Sequence, residues 1–190
     1  AQRGIPIVAR GAGTGLSGGA IGERGSVILA LTRMNKILEI DPENHLAIVE
    51  PGVINIDLSR ATDKFGLYFA PDPSSQRACT IGGNIAENSG GPHCLAYGVT
   101  TNHVLGLEVV LANGAVISLG GRTGETSGYD LRGILIGSEG TLGIITEVHL
   151  RLSPIPESIM SAVCQFTDLE SAVLSAQEII QYGVPIARIE

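Results

Sequence analysis

A chain of 190 residues is long enough for one large domain, or for one domain with part of another, and 44 % hydrophobic residues give it the material for a proper core. A net charge of −7 with only 12 scattered Lys and Arg excludes the basic footprint of a nucleic-acid binder. No apolar run of about 18 residues supplies a membrane span, and 26 glycines without a repeat period argue for many special backbone conformations and not for disorder.

Residues 5–9 read as a short buried strand. Arg10-Gly11-Ala12-Gly13-Thr14-Gly15-Leu16-Ser17-Gly18-Gly19 follows and contains a formal dinucleotide fingerprint, Gly13-x-Gly15-x-x-Gly18. After Gly19 only six residues precede the next strand at 26–31, and two of those are Gly22 and Gly25. A crossover helix has no room there. Glu39 stands at the fingerprint's acidic position by chance, and no Lys follows the glycines to make a Walker A loop. What survives is a loop between strands, able to offer successive N–H groups to an anion or to act as a plain turn.

Residues 37–40 and 45–50 are predicted strands around the turn Asp41-Pro42-Glu43-Asn44. Asn55 is expected to cap a helix with Ile54, Leu58, Ala61 and Phe65 on its apolar face and Gly66 as its stop. Residues 71–98 then form a long stretch rich in Gly, Pro, Ser and Asn, of a length that is functional or disordered inside a domain. Within it, Asn84 is expected to cap a short helix preceded by Gly82 and Gly83, whose exposed amides would suit a phosphate. A side chain at Gly83 would block backbone approach and penalise a positive φ. Residues 104–111 and 115–119 flank Asn113-Gly114, a strong hairpin signal. A short helix is expected over 129–136, then a third glycine loop, Gly137-Ser138-Glu139-Gly140-Thr141-Leu142-Gly143, and a half-exposed antiparallel strand over 144–152. Residues 153–157, with two prolines, read as a linker. The tail is expected to be strand (161–166), helix (opened by a capping box at Thr167 and ending at Gly183) and strand (184–189), the start of a second domain that the chain does not complete. The run from Ala1 straight into a strand also suggests a piece of something longer.

Three glycine-rich loops beside strands call for one large ligand with several polar parts, the size of a dinucleotide such as FAD. A metal held by His93, Cys94 and His103 is the competing idea, but their spacing is not that of a metal site. Ser17 and Ser138 lack the setting of a nucleophile. The three cysteines form no Cys-x-x-Cys pair and no signal peptide is visible, so a reducing, cytoplasmic location is expected.

Arg10-Gly-Ala-Gly-Thr-Gly, Pro71-Asp-Pro-Ser-Ser, Thr80-Ile-Gly-Gly-Asn-Ile-Ala-Glu-Asn-Ser-Gly-Gly and Ile136-Gly-Ser-Glu-Gly-Thr-Leu-Gly occur in that order. Together, over about residues 3–155, they resemble the FAD-binding domain of the vanillyl-alcohol oxidase and p-cresol methylhydroxylase superfamily, in particular its glycolate oxidase, D-lactate and D-2-hydroxyglutarate dehydrogenase group. The resemblance implies an α+β fold: an FAD-binding domain of the p-cresol methylhydroxylase type over 1–155 and the beginning of an α+β cap domain over 156–190. It implies that Arg10, Gly11, Ala12, Gly13, Thr14 and Gly15 wrap the FAD pyrophosphate. Pro71, Asp72, Thr80, Gly82, Gly83, Asn84, Asn88, Gly90, Gly91 and Gly98 would pass along the diphosphate, ribityl chain and isoalloxazine. Glu139, Gly143, Ile144 and Ile145 would hold the ribose and adenine end. Relatives with covalent flavin often carry a His in the first loop where this chain has Thr14-Gly15, so the FAD is expected to be non-covalent, with Cys94 a second conceivable attachment point. The resemblance also places the catalytic histidines beyond Glu190, so no catalytic residue is assigned. The expected partners are a small 2-hydroxy acid and other oxidase subunits or an electron acceptor, which could hold the chain at the inner membrane.

Overall fold

The computed structural model describes residues 4–125 and 128–190, so the first three residues of the expected FAD-binding domain lie outside it. Strand β1 (Ile7–Arg10) pairs in parallel with β2 (Val27–Ala30), Ile7 opposite Val27, and the connection between them contains no helix. Strands β3 (Ile37–Asp41) and β4 (Leu46–Val49) form an antiparallel hairpin. The Asp41 carboxylate closes its turn by accepting from the Asn44 amide at 3.1 Å.

Helix α1 (Asn55–Thr62) continues as a 3-10 turn over Asp63–Phe65, and Gly66 ends it at φ 69°, a conformation that costs glycine least. Asn55 is not its cap. That place falls to Ile54, while Asn55 is the first helical residue and turns its amide side chain into the core. Leu58 is buried as expected, but Phe65 is exposed, because the tighter 3-10 turn rotates it off the core face.

Next come β5 (Leu67–Tyr68), α2 (Ile81–Glu87), α3 (Cys94–Tyr97), the 3-10 turn Thr100–Asn102 and the hairpin β6 (Val104–Val110) with β7 (Val116–Gly120). Helix α4 (Leu131–Leu135) starts at Asp130, whose carboxylate accepts from the Gly133 amide. Strand β8 (Ile144–Arg151) ends beside β9 (Ser153–Pro154), which pairs with β5. Residues 153–154 therefore belong to a small sheet and are not a free linker.

The main sheet has the order β3-β4-β8-β6-β7, antiparallel throughout. The strand expected to be half exposed is thus the central one. Its buried positions run Ile145, Val148, Leu150, a spacing of three and then two. The change of phase comes from a register shift against β6 between Glu108 and Val109, and Thr146 uses its hydroxyl there to donate to Glu108 Oε1 at 2.8 Å. On one face Ala47, Val49, Leu107, Val109, Val148 and Leu150 pack with Leu58, Ile81 and Ile85 of the helices and with Phe69. Leu46, Ile48 and Leu105 make a second, smaller cluster. Both residue neighbours along β4 are buried, so that strand is sandwiched.

In the tail only the helix forms. Helix α5 (Leu169–Gln181) is capped by Asp168, which accepts from the Ser171 amide at 2.7 Å, one residue later than expected; Gly183 stops it at φ 68°. Residues 161–166 and 184–189 are not strands. A strand needs a neighbour to take its N–H and C=O groups, and no described strand pairs with either segment. Met160 and Val163 are almost wholly exposed. Among the described residues no helix is long and apolar enough to cross a membrane.

Two outcomes follow for stability. Replacing fully buried Leu58 with Ala should lower unfolding free energy by about 2–5 kcal/mol, read as an earlier urea midpoint with an unchanged slope. His103 is buried, its Nε2 lies 2.9 Å from the Tyr97 carbonyl and its Nδ1 meets no partner among the described residues. Burial holds its pKa below the usual 6.5, against an opposing pull from the Tyr97 carbonyl and with help from the Arg151 charge. The unfolded chain therefore binds a proton that the folded chain refuses. This contribution to stability is complete above about pH 6.5 and declines as pH falls below it. Urea midpoints at a series of pH values should show that decline, and His103→Gln should flatten it.

Candidate functional site

Strand β1 delivers the chain into the first glycine loop at Arg10, whose carbonyl accepts from the Leu31 amide at 2.9 Å. Beyond that point the backbone N–H groups of residues 11–17 donate to no protein acceptor among the described residues. Gly13 sits at φ 72°, and a Cβ there would stand 3.0 Å from the Arg10 guanidinium, so the cation lies directly against the loop. A run of unengaged amides next to a guanidinium is an anion-binding arrangement. A side chain on Gly11 would collide with Thr80 Oγ1, so the loop must pass bare over the opposite wall.

That wall is helix α2. Its cap is Thr80, not Asn84, and the helix includes Gly82 and Gly83. Its first amides are all taken: Ile81 donates to Val53 O at 2.8 Å, Gly82 to Pro51 O at 2.7 Å, Gly83 to Thr80 Oγ1 at 3.3 Å and Asn84 to Thr80 O at 2.9 Å. The expectation that this helix start presents free amides to a phosphate is therefore overturned. The core has consumed them. Gly82 earns its place by packing, since a Cβ would come within 2.6 Å of Pro51 Cβ. Gly83 has ordinary helical geometry without a positive φ, and a Cβ there would meet only the Thr80 hydroxyl at 3.3 Å.

The Asn84 side chain is engaged within the protein. Its Oδ1 accepts from Asn55 Nδ2 at 2.9 Å, and its Nδ2 donates to Cys79 Sγ at 3.2 Å and to Ser89 Oγ at 3.5 Å.

The third glycine loop closes the site. Gly137 and Glu139 donate their amides to Ile85 O and Ala86 O, each at 2.8 Å, which satisfies carbonyls at the end of α2. Glu139 does so at φ 54°, a strained conformation for this residue. Two carboxylates then flank the first loop. A Cβ on Gly15 would lie 2.8 Å from Glu87 Oε1, and one on Gly19 would lie 3.2 Å from Glu139 Oε2. Ser17 Oγ donates to Glu87 Oε2 at 3.4 Å.

Together these parts enclose a cleft of about 470 Å³. Gly11, Ala12, Gly13, Thr14, Gly15, Thr80, Gly83, Asn84 and Glu139 of the expected residues line it. Arg10, Gly82, Gly143 and Ile145 line an adjoining recess of about 60 Å³. The remaining seven line neither. Pro71 gives its carbonyl to Asn55 Nδ2 at 3.0 Å, and Asp72 Oδ2 lies 2.5 Å from His93 Nδ1. Asn88 ends α2 and accepts from the Thr101 amide at 2.9 Å, Gly90 packs against Cys94 and Val99, and Gly91 packs against Asp72. Gly98 ends α3, and Ile144 pairs with Val110 in the sheet. Residues 72–75 and 89–91 meet at Asp72 and Gly91 just beyond Ser75 and Ser89, which do line the cleft. Leu31, Pro51, Ile21 and Cys79 also line the cleft or its recess though no sequence motif marks them. Glu87 does so from inside one of the quoted segments, and Asn55, expected only as a helix cap, holds Asn84 from outside the lining.

The three residues of the metal alternative are separately engaged: His93 with Asp72, Cys94 Sγ as acceptor of the Gly91 amide at 2.9 Å, and His103 with Tyr97. No group of three or more His, Cys, Asp or Glu among the described residues is placed to hold an ion.

A cleft walled by bare backbone, a short capped helix and a glycine loop, set on an α+β scaffold, defines a nucleotide-cofactor binder. The family model described as FAD binding domain matches residues 1–120, and the chain belongs to that family. It is 48 % identical over 187 residues to "Glycolate oxidase subunit GlcD" of Bacillus subtilis (strain 168), covering 98 % of this chain and 40 % of that protein. It is 42 % identical over 187 residues to "D-lactate dehydrogenase" of Anaerostipes hadrus, covering 98 % of this chain and 39 % of the relative. The chain thus spans about two fifths of the length of these curated relatives. Among solved structures it superposes on "alkyldihydroxyacetonephosphate synthase in P212121" with a TM-score of 0.80 and 27 % identity, over 96 % of this chain and 34 % of that one. The cofactor of this fold is FAD.

Two glycines of α2 should respond in opposite ways. Gly83→Val should leave the fold intact and weaken FAD binding more than tenfold, since its side chain would stand in the cleft; fluorescence titration with FAD measures this. Gly82→Ala should instead cost about 1–3 kcal/mol of stability through overpacking against Pro51, measured by urea unfolding.

Proposed function

We propose that this chain is the FAD-binding part of a flavin-dependent 2-hydroxy acid dehydrogenase or oxidase, acting on glycolate or D-lactate to give the 2-oxo acid. The observation that carries the cofactor half of this reading is the run of unengaged amides over residues 11–17 beside the Arg10 guanidinium, facing a cleft of about 470 Å³. A dinucleotide diphosphate fits that donor set, because each anionic oxygen needs several N–H partners and Gly11 leaves the backbone open to approach. Glu87 and Glu139 fit the sugar parts, where hydroxyl groups donate and carboxylates accept. The names of the relatives support the substrate half.

Bound FAD supplies a two-electron acceptor for oxidation of a CH–OH group to C=O. This chain's residues bind and orient it. Residues 10–15 hold the diphosphate, and Thr80 and Gly83 form the floor beneath it. Glu139, Gly143 and Ile145 border the ribose and adenine end, with Ile144 behind them in the sheet. Pro71, Asp72, Asn88, Gly90, Gly91 and Gly98 shape the wall beyond Ser75 and Ser89. The site residues of the reaction itself are assigned to the rest of the enzyme, with residues 1–155 as the cofactor domain and 156–190 as the beginning of the cap. Other oxidase subunits, or a separate electron acceptor, take the electrons onward in a cytoplasmic enzyme that these partners would hold at the inner membrane.

A second reading is a module that binds FAD and turns nothing over by itself. It is favoured by the engagement of His93 and His103 within the protein, which leaves no histidine lining the cleft among the described residues. Three measurements separate these statements. FAD should bind to the purified chain and stay in the supernatant after acid precipitation; yellow colour retained on the polypeptide would overturn non-covalent attachment. Anaerobic mixing of the FAD-loaded chain with glycolate or D-lactate should leave the flavin oxidised. The same substrates should bleach it in the whole enzyme, and failure with every 2-hydroxy acid there would overturn the substrate class.

A further inference from the structure

Asn55 is fully buried at the start of α1 and joins three separate segments. Its backbone N–H donates to Cys79 O at 3.0 Å, and the two hydrogens of Nδ2 go to Pro71 O at 3.0 Å and to Asn84 Oδ1 at 2.9 Å. Every donor on this residue is therefore spent on fixing chain that borders the cleft. Asn84 passes the constraint on: with its Oδ1 held, its Nδ2 can point only toward Cys79 Sγ and Ser89 Oγ. Cys79, Asn84 and Ser89 all line the cleft. Pro71 leads directly into Asp72, which holds His93 and packs against Gly91. A buried amide that loses its donor leaves two unsatisfied acceptors behind, and the side chain of Asn84 then turns over, since its O and N ends are nearly the same shape.

We propose that Asn55 is a positioning residue for the cofactor: it touches nothing in the cleft and sets the orientation of Asn84, and through it Cys79 and Ser89, together with the path of the wall at 71–72. The inference rests on the reading of the cleft as the FAD site. Asn55 acts by donating and not by filling space, which distinguishes it from the core residues around it.

The test uses the 190-residue chain, Asn55→Ala, Asn55→Asp, Asn84→Ala and the double variant Asn55→Ala/Asn84→Ala. FAD affinity is measured by fluorescence titration, and peptide-resolved alkylation follows Cys79 in the FAD-free chain, with exposed Cys164 as the internal reference. Asn55→Ala and Asn55→Asp should each weaken FAD binding tenfold or more and speed Cys79 alkylation relative to Cys164 by a similar factor. Asp keeps the shape and loses the amide donors, so it should behave like Ala. The double variant should bind FAD no worse than the weaker single one. Wild-type affinity in Asn55→Asp, additive losses in the double variant, or loss of the fold in both Asn55 variants would each assign Asn55 to the core alone and overturn the proposal. If the wild-type chain itself does not bind FAD, the cofactor reading fails. The alkylation of Cys79 still decides whether Asn55 holds the cleft floor.

Discussion

The structure depends on an exchange of hydrogen bonds between the starts of two helices. Asn55 donates its amide to Cys79 O, Ile81 donates to Val53 O and Gly82 to Pro51 O. Residues 51–55 and 79–82 thus hold one another as an antiparallel pair would, with a bridge between Ile54 and Thr80. Each bond is buried, and leaving one such amide unpaired would cost about 1–3 kcal/mol. Helix α2 is fixed in place by its first turn and α1 by its own. The cost to the site is that neither helix has a free amide to offer. The backbone N–H groups of the loop after β1 are the ones left without a protein acceptor at this site among the described residues.

A second constraint acts at the other end of α2. Glu139 remains in a left-handed conformation because its amide, with that of Gly137, satisfies the carbonyls of Ala86 and Ile85. The strain also aims a carboxylate at Gly19, while Glu87 reaches Gly15 and Ser17 from α2. The glycine loop lies between two acidic groups and has Arg10 as its neighbouring cation. In a chain of net charge −7, this sorting of sign within a few residues gives the cleft one cationic stretch bordered by two acidic ones.

Local signals in the sequence proved readable where one segment decides its own conformation. The Asn113-Gly114 hairpin, the stop at Gly66, and the absence of a crossover helix after Gly13-x-Gly15-x-x-Gly18 all depend on a few neighbouring residues. The loops that bound the cleft were legible by their glycine and by family resemblance. Asn55 and Asn84 were misread as caps because an Asn before an apolar run looks the same whether its side chain caps the helix or serves a distant carbonyl. The partner 16 residues away at Pro71 decides, and local pattern carries no trace of it. Strand β8 is the half-exposed antiparallel strand that its alternation predicts, with Ile145, Val148 and Leu150 buried and its other residues partly or fully exposed. What the alternation does not carry is its central place in the sheet, which is set by β4 and β6, far off in sequence. The tail strands had β propensity and no neighbour, and propensity alone does not hold a strand.

The position of Arg122 bears on what the main sheet can do to other molecules. Strands β3 and β7 are its two outermost members, and in a flat sheet of five they would lie about 19 Å apart. Arg122, two residues past β7, nevertheless lies 2.5 Å from Glu39 and 3.6 Å from Asp41 of β3, because the chain turns back over β6, where the Gly121 amide donates to Leu105 O at 3.2 Å. An open border offers unpaired N–H and C=O groups to any extended peptide that meets it. Here Glu39 and Asp41 place paired charge on the β3 border, and charged side chains at a sheet edge discourage a would-be extra strand from adding on. This ion pair thus works against polymerisation through the β3 side of the sheet, a hazard for any strand-rich chain.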